Sequence, residues 1–240
     1  MLATRMKMAA SNTGDNFYAL KVLSYSPIAY WRLNESSGIV ATDSSGNGYN
    51  GTYANVSVGA STFEDGAACP TFDGSSSYVD IYSAGFDTAW DKDEYTLMCW
   101  FKHSGTWNDG NNRDAIYMAV DSSNRVYIRK SSVAAGQARV TADRNGTEFQ
   151  RGISTTSNDW LFYAQTVSVL ADAFKAYQDG VNFGGTLSSL TAWVGALSSA
   201  TTLIGARSQA GTGVFNGQIA HIAILALLNA AAILDLNTTS

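Results

Sequence analysis

Proline is nearly missing from this 240-residue sequence, with two residues against 22 glycines. Glycine and Asn/Asp turns must therefore punctuate the chain. Charge is scarce too: 15% of residues are charged, the formal net charge is -5, and no Lys/Arg cluster stands out along the chain. That disfavours a nucleic-acid partner. No apolar run approaches the ~18 residues of a membrane span; the longest covers 222–228. Residues 1–10 lack the uninterrupted apolar core of a signal peptide, so the sequons at Asn50, Asn55, Asn145 and Asn237 are expected to stay unmodified. The two cysteines, Cys69 and Cys99, read as free buried thiols, with a disulfide left open because sequence alone does not place Cα atoms within bridging distance. With only His103 and His221 besides, the pair makes no zinc set.

What is present is apolar alternation between turn signals. Ile28, Tyr30 and Arg32 alternate with Ala29, Trp31 and Leu33, the period of a strand. Asp43 to Gly51 is turn chemistry throughout. In 95–102, Leu97, Cys99 and Phe101 share one face and Met98 and Trp100 the other. Both faces are apolar, so this strand is expected at the centre of a two-layer stack. Turns at 121–124, Asn145-Gly146 and Asp179-Gly180 predict three hairpins, 115–130, 138–153 and 174–183. Further strands are expected at 67–73, 78–82, 160–169, 201–205 and 215–225, and a short helix over 230–236 capped by Asn229. Residues 17–23 suit a short helix or a strand, and 1–16 a polar arm. Roughly a dozen short strands with regular turns argue for a sandwich or jelly roll.

Several segments are more specific in wording than in period. Ala29-Tyr30-Trp31-Arg32-Leu33 leads to Asp43-Ser44-Ser45-Gly46-Asn47-Gly48; Phe72-Asp73-Gly74 leads to Tyr78-Val79; the 95–101 strand, Tyr177-Gln178-Asp179-Gly180 and Phe215-Asn216-Gly217-Gln218-Ile219 follow. In this order they resemble laminin-G-like jelly-roll domains of the concanavalin A-like lectin/glucanase superfamily, over Ile28 to about Leu236. The resemblance implies an all-β, two-sheet antiparallel jelly-roll sandwich with a short C-terminal helix. It also implies a hairpin from Phe72 to Tyr78. The division expected is an N-terminal arm, 1–27, that anchors or binds a partner, and one domain, 28–240. Where the family often carries an acidic pair and a later aromatic residue, this chain has Ala220, His221 and Leu225, so a function built on that pair is not carried over.

Glucanases of the superfamily carry an alternating Glu-x-Asp-x-Glu strand, which aims carboxylates into one cleft for a retaining mechanism. No glutamate here sits in such an alternation; Asp91-Lys92-Asp93-Glu94 has the wrong parity and reads as a loop before the 95–102 strand. Gly-x-Ser-x-Gly, phosphate-loop and zinc motifs are missing as well, and the expectation is a non-enzyme. Hard-cation ligands call for clustered loop oxygens. Asp43, Ser45 and Asn47 are the first calcium candidates and Asp109, Asn111 and Asp114 the second, although structural turns explain both sets. Sugar binding calls for an aromatic ring beside amides and carboxylates. Trp107 with Asn108, Asp109 and Asn111 is the leading ligand loop, ahead of Trp90 with Asp87 and Asp91, and of Trp193.

Two functions compete. The chain's start, through Ser26-Pro27-Ile28-Ala29-Tyr30-Trp31, looks like laminin-G-like domains found among phage virion and tail proteins. The first expectation is thus a bacteriophage virion structural or decoration protein. Its arm would hold capsid or tail partners, its sandwich would face outward as a monomer or homo-oligomer, and it would grip host glycans weakly and multivalently. It would be assembled in the host cytoplasm and contact neither membrane nor nucleic acid. The second is a carbohydrate-binding module of a cellular extracellular protein, using the Trp107 loop or the concave sheet. A degraded glycosidase is a third, weaker reading.

Overall fold

The computed structural model describes residues 17–132 and 136–239. The expected arm, 1–16, lies outside them. In chain order come helix α1 (Phe17–Ser24) and strands β1 (Ala29–Trp31), β2 (Val40–Ala41), β3 (Gly51–Ala54), β4 (Ser57–Thr62), β5 (Ala68–Asp73) and β6 (Tyr78–Asp80). Helix α2 (Ala84–Ala89) precedes β7 (Glu94–His103), β8 (Arg113–Ala119), β9 (Arg125–Lys130), β10 (Gln137–Arg144) and β11 (Thr147–Ser154). Then follow β12 (Leu161–Ser168), β13 (Ala173–Gln178), β14 (Val181–Leu187), β15 (Thr202–Ile204), β16 (Asn216–Leu225) and helix α3 (Ala230–Leu236).

The strands form two antiparallel sheets, as the all-β jelly-roll reading expects. The first runs β14-β13-β12-β7-β16-β5-β4, with β1 also on β16; the second runs β11-β10-β9-β8-β15-β6-β3-β2. Strand β7 is central, between β12 and β16. Its Leu97, Cys99 and Phe101 enter the core between the sheets, where they meet Ile116, Ile128 and Val140 of the second sheet. Its Met98 and Trp100 point the other way, into a separate apolar cluster. That cluster holds Tyr18, Ala19 and Val22 of α1 and Ile233 and Leu236 of α3, so two helices close the outer face of the first sheet. The closure is tied by hydrogen bonds: Trp100 Nε1 donates to Tyr18 Oη (2.7 Å), whose hydroxyl donates to the Leu236 carbonyl (2.9 Å).

Of the two options for 17–23, the helix is the one formed. It belongs to the packed body, although the expected division at 27/28 assigns it to the arm. It stops where Ser26 adopts a left-handed φ of 51° ahead of Pro27. The three predicted hairpins are present, and Asn229 caps α3 by accepting from Ala232 N (3.0 Å). The expected hairpin from Phe72 to Tyr78 is not one: β5 lies in the first sheet and β6 in the second. Asp73 accepts from the backbone N–H groups of Ser75, Ser76 and Ser77, building a turn that carries the chain between layers. Cys69 and Cys99 are free and buried, and burial pushes the Cys69 thiol up to about 11.

Candidate functional site

The leading sequence candidate, Trp107, is a core residue. It is 4% exposed, joins the cluster between the sheets, and its Nε1 donates to the Ser157 carbonyl (3.0 Å). Its ring faces are covered, which corrects the expectation of a stacking platform. Asp109 is spoken for as well. It pairs with Lys130 and with Arg113 Nη2 (2.9 Å), and accepts from Asn111 N (3.0 Å). Burial raises its carboxyl, but these donors outweigh it and hold Asp109 below the ordinary range. Of the four candidates, Trp107 and Asn108 line an opening of about 490 Å³ at the sandwich rim, together with Ser104, Thr106, Thr156 and Asn158. Trp90 is buried as well, 5.8 Å from the Trp193 ring, and Trp193 Nε1 donates to the Gly195 carbonyl.

The first calcium set is a loop staple. Asp43 Oδ1 accepts from Tyr30 N and Ser45 N (2.9 Å each), and Oδ2 accepts from Ser45 Oγ (2.8 Å) and Tyr49 N (2.9 Å). Asn47 Nδ2 donates to the Ile28 carbonyl (2.9 Å), so its amide holds the loop to the opening strand. Four donors already use the carboxylate oxygens that a hard cation would need. The second set fails for a different reason: Lys130 occupies the cationic place beside Asp109, and Asp114 faces away to pair with Arg129. Neither set fits the ion. The histidines are structural too. His103 Nδ1 donates to the Asn216 carbonyl (2.9 Å), and burial lowers its pKa. His221 sits at a bulge with φ 52°, its Nδ1 on Tyr30 Oη (2.5 Å) and its Nε2 on Asp65 (3.1 Å).

Polar and charged side chains gather instead on the outer face of the second sheet. Direct antiparallel partners share a face. The register aligns Leu203, Tyr117, Tyr127, Thr141 and Gln150 in one row across β15, β8, β9, β10 and β11. Ala119, Arg125, Asp143 and Glu148 form the row on one side of it. On the other side, Asp114, Arg129, Arg139 and Gly152 form a third. Opposite these rows, Val126, Ile128, Val140 and Phe149 point into the core, so plain alternation on β9–β11 sends the polar residues out. The β15 half of the face is covered, Leu203 packing with Ala206, Val214 and Tyr78. Among the described residues none of the three α-helices packs over the β8–β11 half, where Tyr117, Tyr127 and Thr141 are buried and Arg207 and Arg129 lie over the two rings.

The geometry there is dense. The Tyr117 and Tyr127 rings stack at 5.8 Å and 16°. The Arg129 guanidinium lies 3.5 Å over the Tyr127 ring, within cation–π reach. Arg125 pairs with Asp143; Arg129 Nε is 2.8 Å from Asp114, and Arg207 Nε is 3.5 Å from the same carboxylate. Burial raises the Asp114 carboxyl above its ordinary value, against the pull of Arg129 and Arg207, and burial raises Asp143 likewise. Gly213 leaves room for this group, since a Cβ there would collide with Asp114 Oδ2. Arg129 Nη2 and Asp143 Oδ1 are buried and have no hydrogen-bond partner. Such atoms cost about 1–3 kcal/mol each and mark places where something else can bond. None of these residues was a sugar-binding candidate in the sequence. The signal available was the alternation Arg125-Val-Tyr127-Ile-Arg129, polar on one parity only.

A laminin G family model, described as the concanavalin A-like lectin/glucanases superfamily, matches residues 73–233, and the chain belongs to this family. No curated protein matches the sequence. Solved structures share its fold. Domain 4 of AbnA, an extracellular arabinanase from Geobacillus stearothermophilus in complex with arabinotriose, is 15% identical with a TM-score of 0.61, covering 88% of this chain and 98% of that one. The botulinum neurotoxin serotype C1 binding domain is 16% identical with a TM-score of 0.66, covering 90% of this chain and 52% of its own, so this chain spans about half its length. The CBM40 of Ruminococcus gnavus IT-sialidase, bound to α2,3-sialyllactose, is 9% identical with a TM-score of 0.55, covering 70% and 95%.

Proposed function

We propose that this protein is a non-catalytic, saccharide-binding module whose binding surface is the outer face of β8–β11. The observation that carries the reading is the set Arg125, Arg139, Glu148 and Gln150, half-buried or exposed over the buried Tyr117, Tyr127 and Thr141, on a sheet half that no α-helix covers. Guanidinium donors with amide and carboxylate acceptors beside them suit a polyhydroxylated ligand. That arabinotriose and sialyllactose are held by domains of the same fold supports a saccharide over other ligands. A non-catalytic role is supported by the carboxylates of this face. Asp143 and Asp114 are tied to arginines, and Glu148 accepts from Tyr127 Oη (3.3 Å). They are not a free acid and nucleophile across a cleft.

We place the module on the surface of a virus particle, with capsid or tail proteins as partners. The likeness of its opening segment to phage virion domains supports this. So does the position of α1, which docks on the first sheet and so lies on the side away from β8–β11. Attachment through the N-terminal side would leave the saccharide face outward. Antibody labelling of native particles in the electron microscope tests the placement: regular labelling is expected, and label absent from every particle sinks it, leaving the module to a cellular protein. A glycan array tests the binding. Saturable binding is expected, lost in Gln150→Ala and kept in Asn108→Ala. Loss in Asn108→Ala instead would move the site to the rim cavity, and no binding by the unaltered chain would end the saccharide reading.

A further inference from the structure

Charge on the β8–β11 face is layered. Two carboxylates lie at the bottom, Asp114 fully buried and the Asp143 side chain 4% exposed, while Glu148 is exposed at the β11 edge. Arg125 and Arg207 lie above them, with side chains 28% and 33% exposed, while the Arg129 side chain is buried at 8%. Away from Glu148 at the β11 edge, a ligand approaching the face therefore meets donors first.

The layers do not cancel everywhere. Asp143 pairs with Arg125 and also lies in the field of Arg129. Asp114 answers both Arg129 and Arg207. Arg139 has no carboxylate partner among the described residues. Its Nε donates to Gln137 Oε1 (2.9 Å) and its Nη1 to Gln150 Oε1 (3.2 Å), two neutral amides that fix the fork without neutralising it. Arg139 is also the direct cross-strand partner of Arg129. Like charges placed opposite one another destabilise a sheet. Arg129 and Arg207 share Asp114, and Arg139 beside Arg129 has no carboxylate of its own, in a chain whose formal net charge is -5. The positive excess is local and contrary to the whole. The neighbouring position across from Arg139 is Gly152, where an added Cβ would come within 2.6 Å of the Gln137 amide nitrogen. The missing side chain leaves the Gln137–Arg139 bond and the space beside it intact.

We infer that the saccharide bound by this face carries an anionic group, a carboxylate or a sulfate ester, seated between Arg139 and the Arg129–Arg207 pair. The inference rests on the saccharide reading and adds the ligand's charge to it. A planar guanidinium already oriented by two amides matches either anion through paired N–H donors. Arg129 is already paired with Asp114, and the ligand's anion then answers Arg139.

The test is binding of the full chain to four sets of glycans: carboxylated ones, the same glycans after chemical reduction of the carboxyls, sulfated ones and neutral ones. Wild type, Arg139→Gln and Arg207→Gln are compared, each checked for an unchanged thermal midpoint. Anionic glycans are expected to bind at least tenfold more tightly than reduced or neutral ones, with binding weakening as salt rises. Arg139→Gln is expected to lose that tenfold preference, and Arg207→Gln to lose part of it. Preference for the carboxylated or the sulfated set identifies the anion. Neutral and reduced glycans binding as well as anionic ones, unchanged by Arg139→Gln, would overturn the inference and leave the saccharide reading standing. A chain that binds no glycan of any set would overturn both.

Discussion

The two sheets turn opposite kinds of surface away from the common core. On the first, Met98, Trp100, Phe162 and Ala164 point outward and are sealed under α1 and α3. On the second, Arg125, Tyr127, Arg129, Thr141 and Asp143 point outward with no helix over them. Both begin from the same alternation of strand residues, one parity to the core and one parity out. What differs is the outward set. Apolar outward residues need a second layer, and the chain ends of the domain supply it as two short helices. Polar outward residues need none: Tyr127, Arg129, Thr141 and Asp143 are buried without a helix, Arg125 stays half-buried, and the charges are paired within the sheet. One face thus serves stability and the other is free to serve recognition.

This division breaks most visibly by removing an aromatic side chain from the closed face. Trp100→Ala should destabilise by about 3–5 kcal/mol in denaturant titration while sparing glycan binding by the folded fraction. An equal loss of binding would mean the two faces are not separable. Second in size is Asp43→Ala in the loop behind β1. Removing a carboxylate that accepts several backbone N–H bonds should cost about 2–3 kcal/mol, and added calcium should leave the wild-type midpoint where it is.

A third expectation concerns the closed face and pH. Burial holds the His221 imidazole below its ordinary value, although Asp65 pulls the other way. The unfolded chain therefore takes up its proton first, near about pH 6.5. Stability is then full above that pH and is lost as pH falls from there towards the folded value. His103, lowered by burial as well, adds to the slope. In His221→Asn the loss between neutral and mildly acidic pH should be smaller, as read by thermal midpoints across the range. The smallest stability effect belongs to the open face: Arg139→Gln should shift folding by no more than about 0.5 kcal/mol, so that any change in binding reports the face and not the fold.

Most of the sandwich was legible because strands announce themselves by alternation and turn residues. The β7 centre followed from two apolar faces, and Asn145-Gly146 and Asp179-Gly180 each made the hairpin expected of them. What escaped was pairing between distant segments. Phe72 and Tyr78 are close in sequence, yet they belong to different sheets, because turn wording does not tell a hairpin from a crossover. The β2–β4 strands are short or glycine-containing and carry little pattern, and α2 is six residues long. For the sites, local wording misled. Trp107 stands among polar residues in sequence, but its ring turns into the core and the neighbours left outside are spent on Lys130 and Arg113. The absence of a Lys/Arg cluster along the chain is real and still hides one in space. Arg129, Arg139 and Arg207 come from three separate segments, and only strand register brings the first two opposite each other.

The most direct test of the account is a nuclear magnetic resonance titration of the labelled chain with the glycan that binds it best, following backbone amides residue by residue. The account predicts that the shifting amides concentrate in β8–β11, around Tyr117, Tyr127, Arg139 and Gln150, and that α1 and α3 stay still. Shifts confined to the rim around Ser104–Asn108 and Thr156–Asn158, or to the two helices, would contradict it.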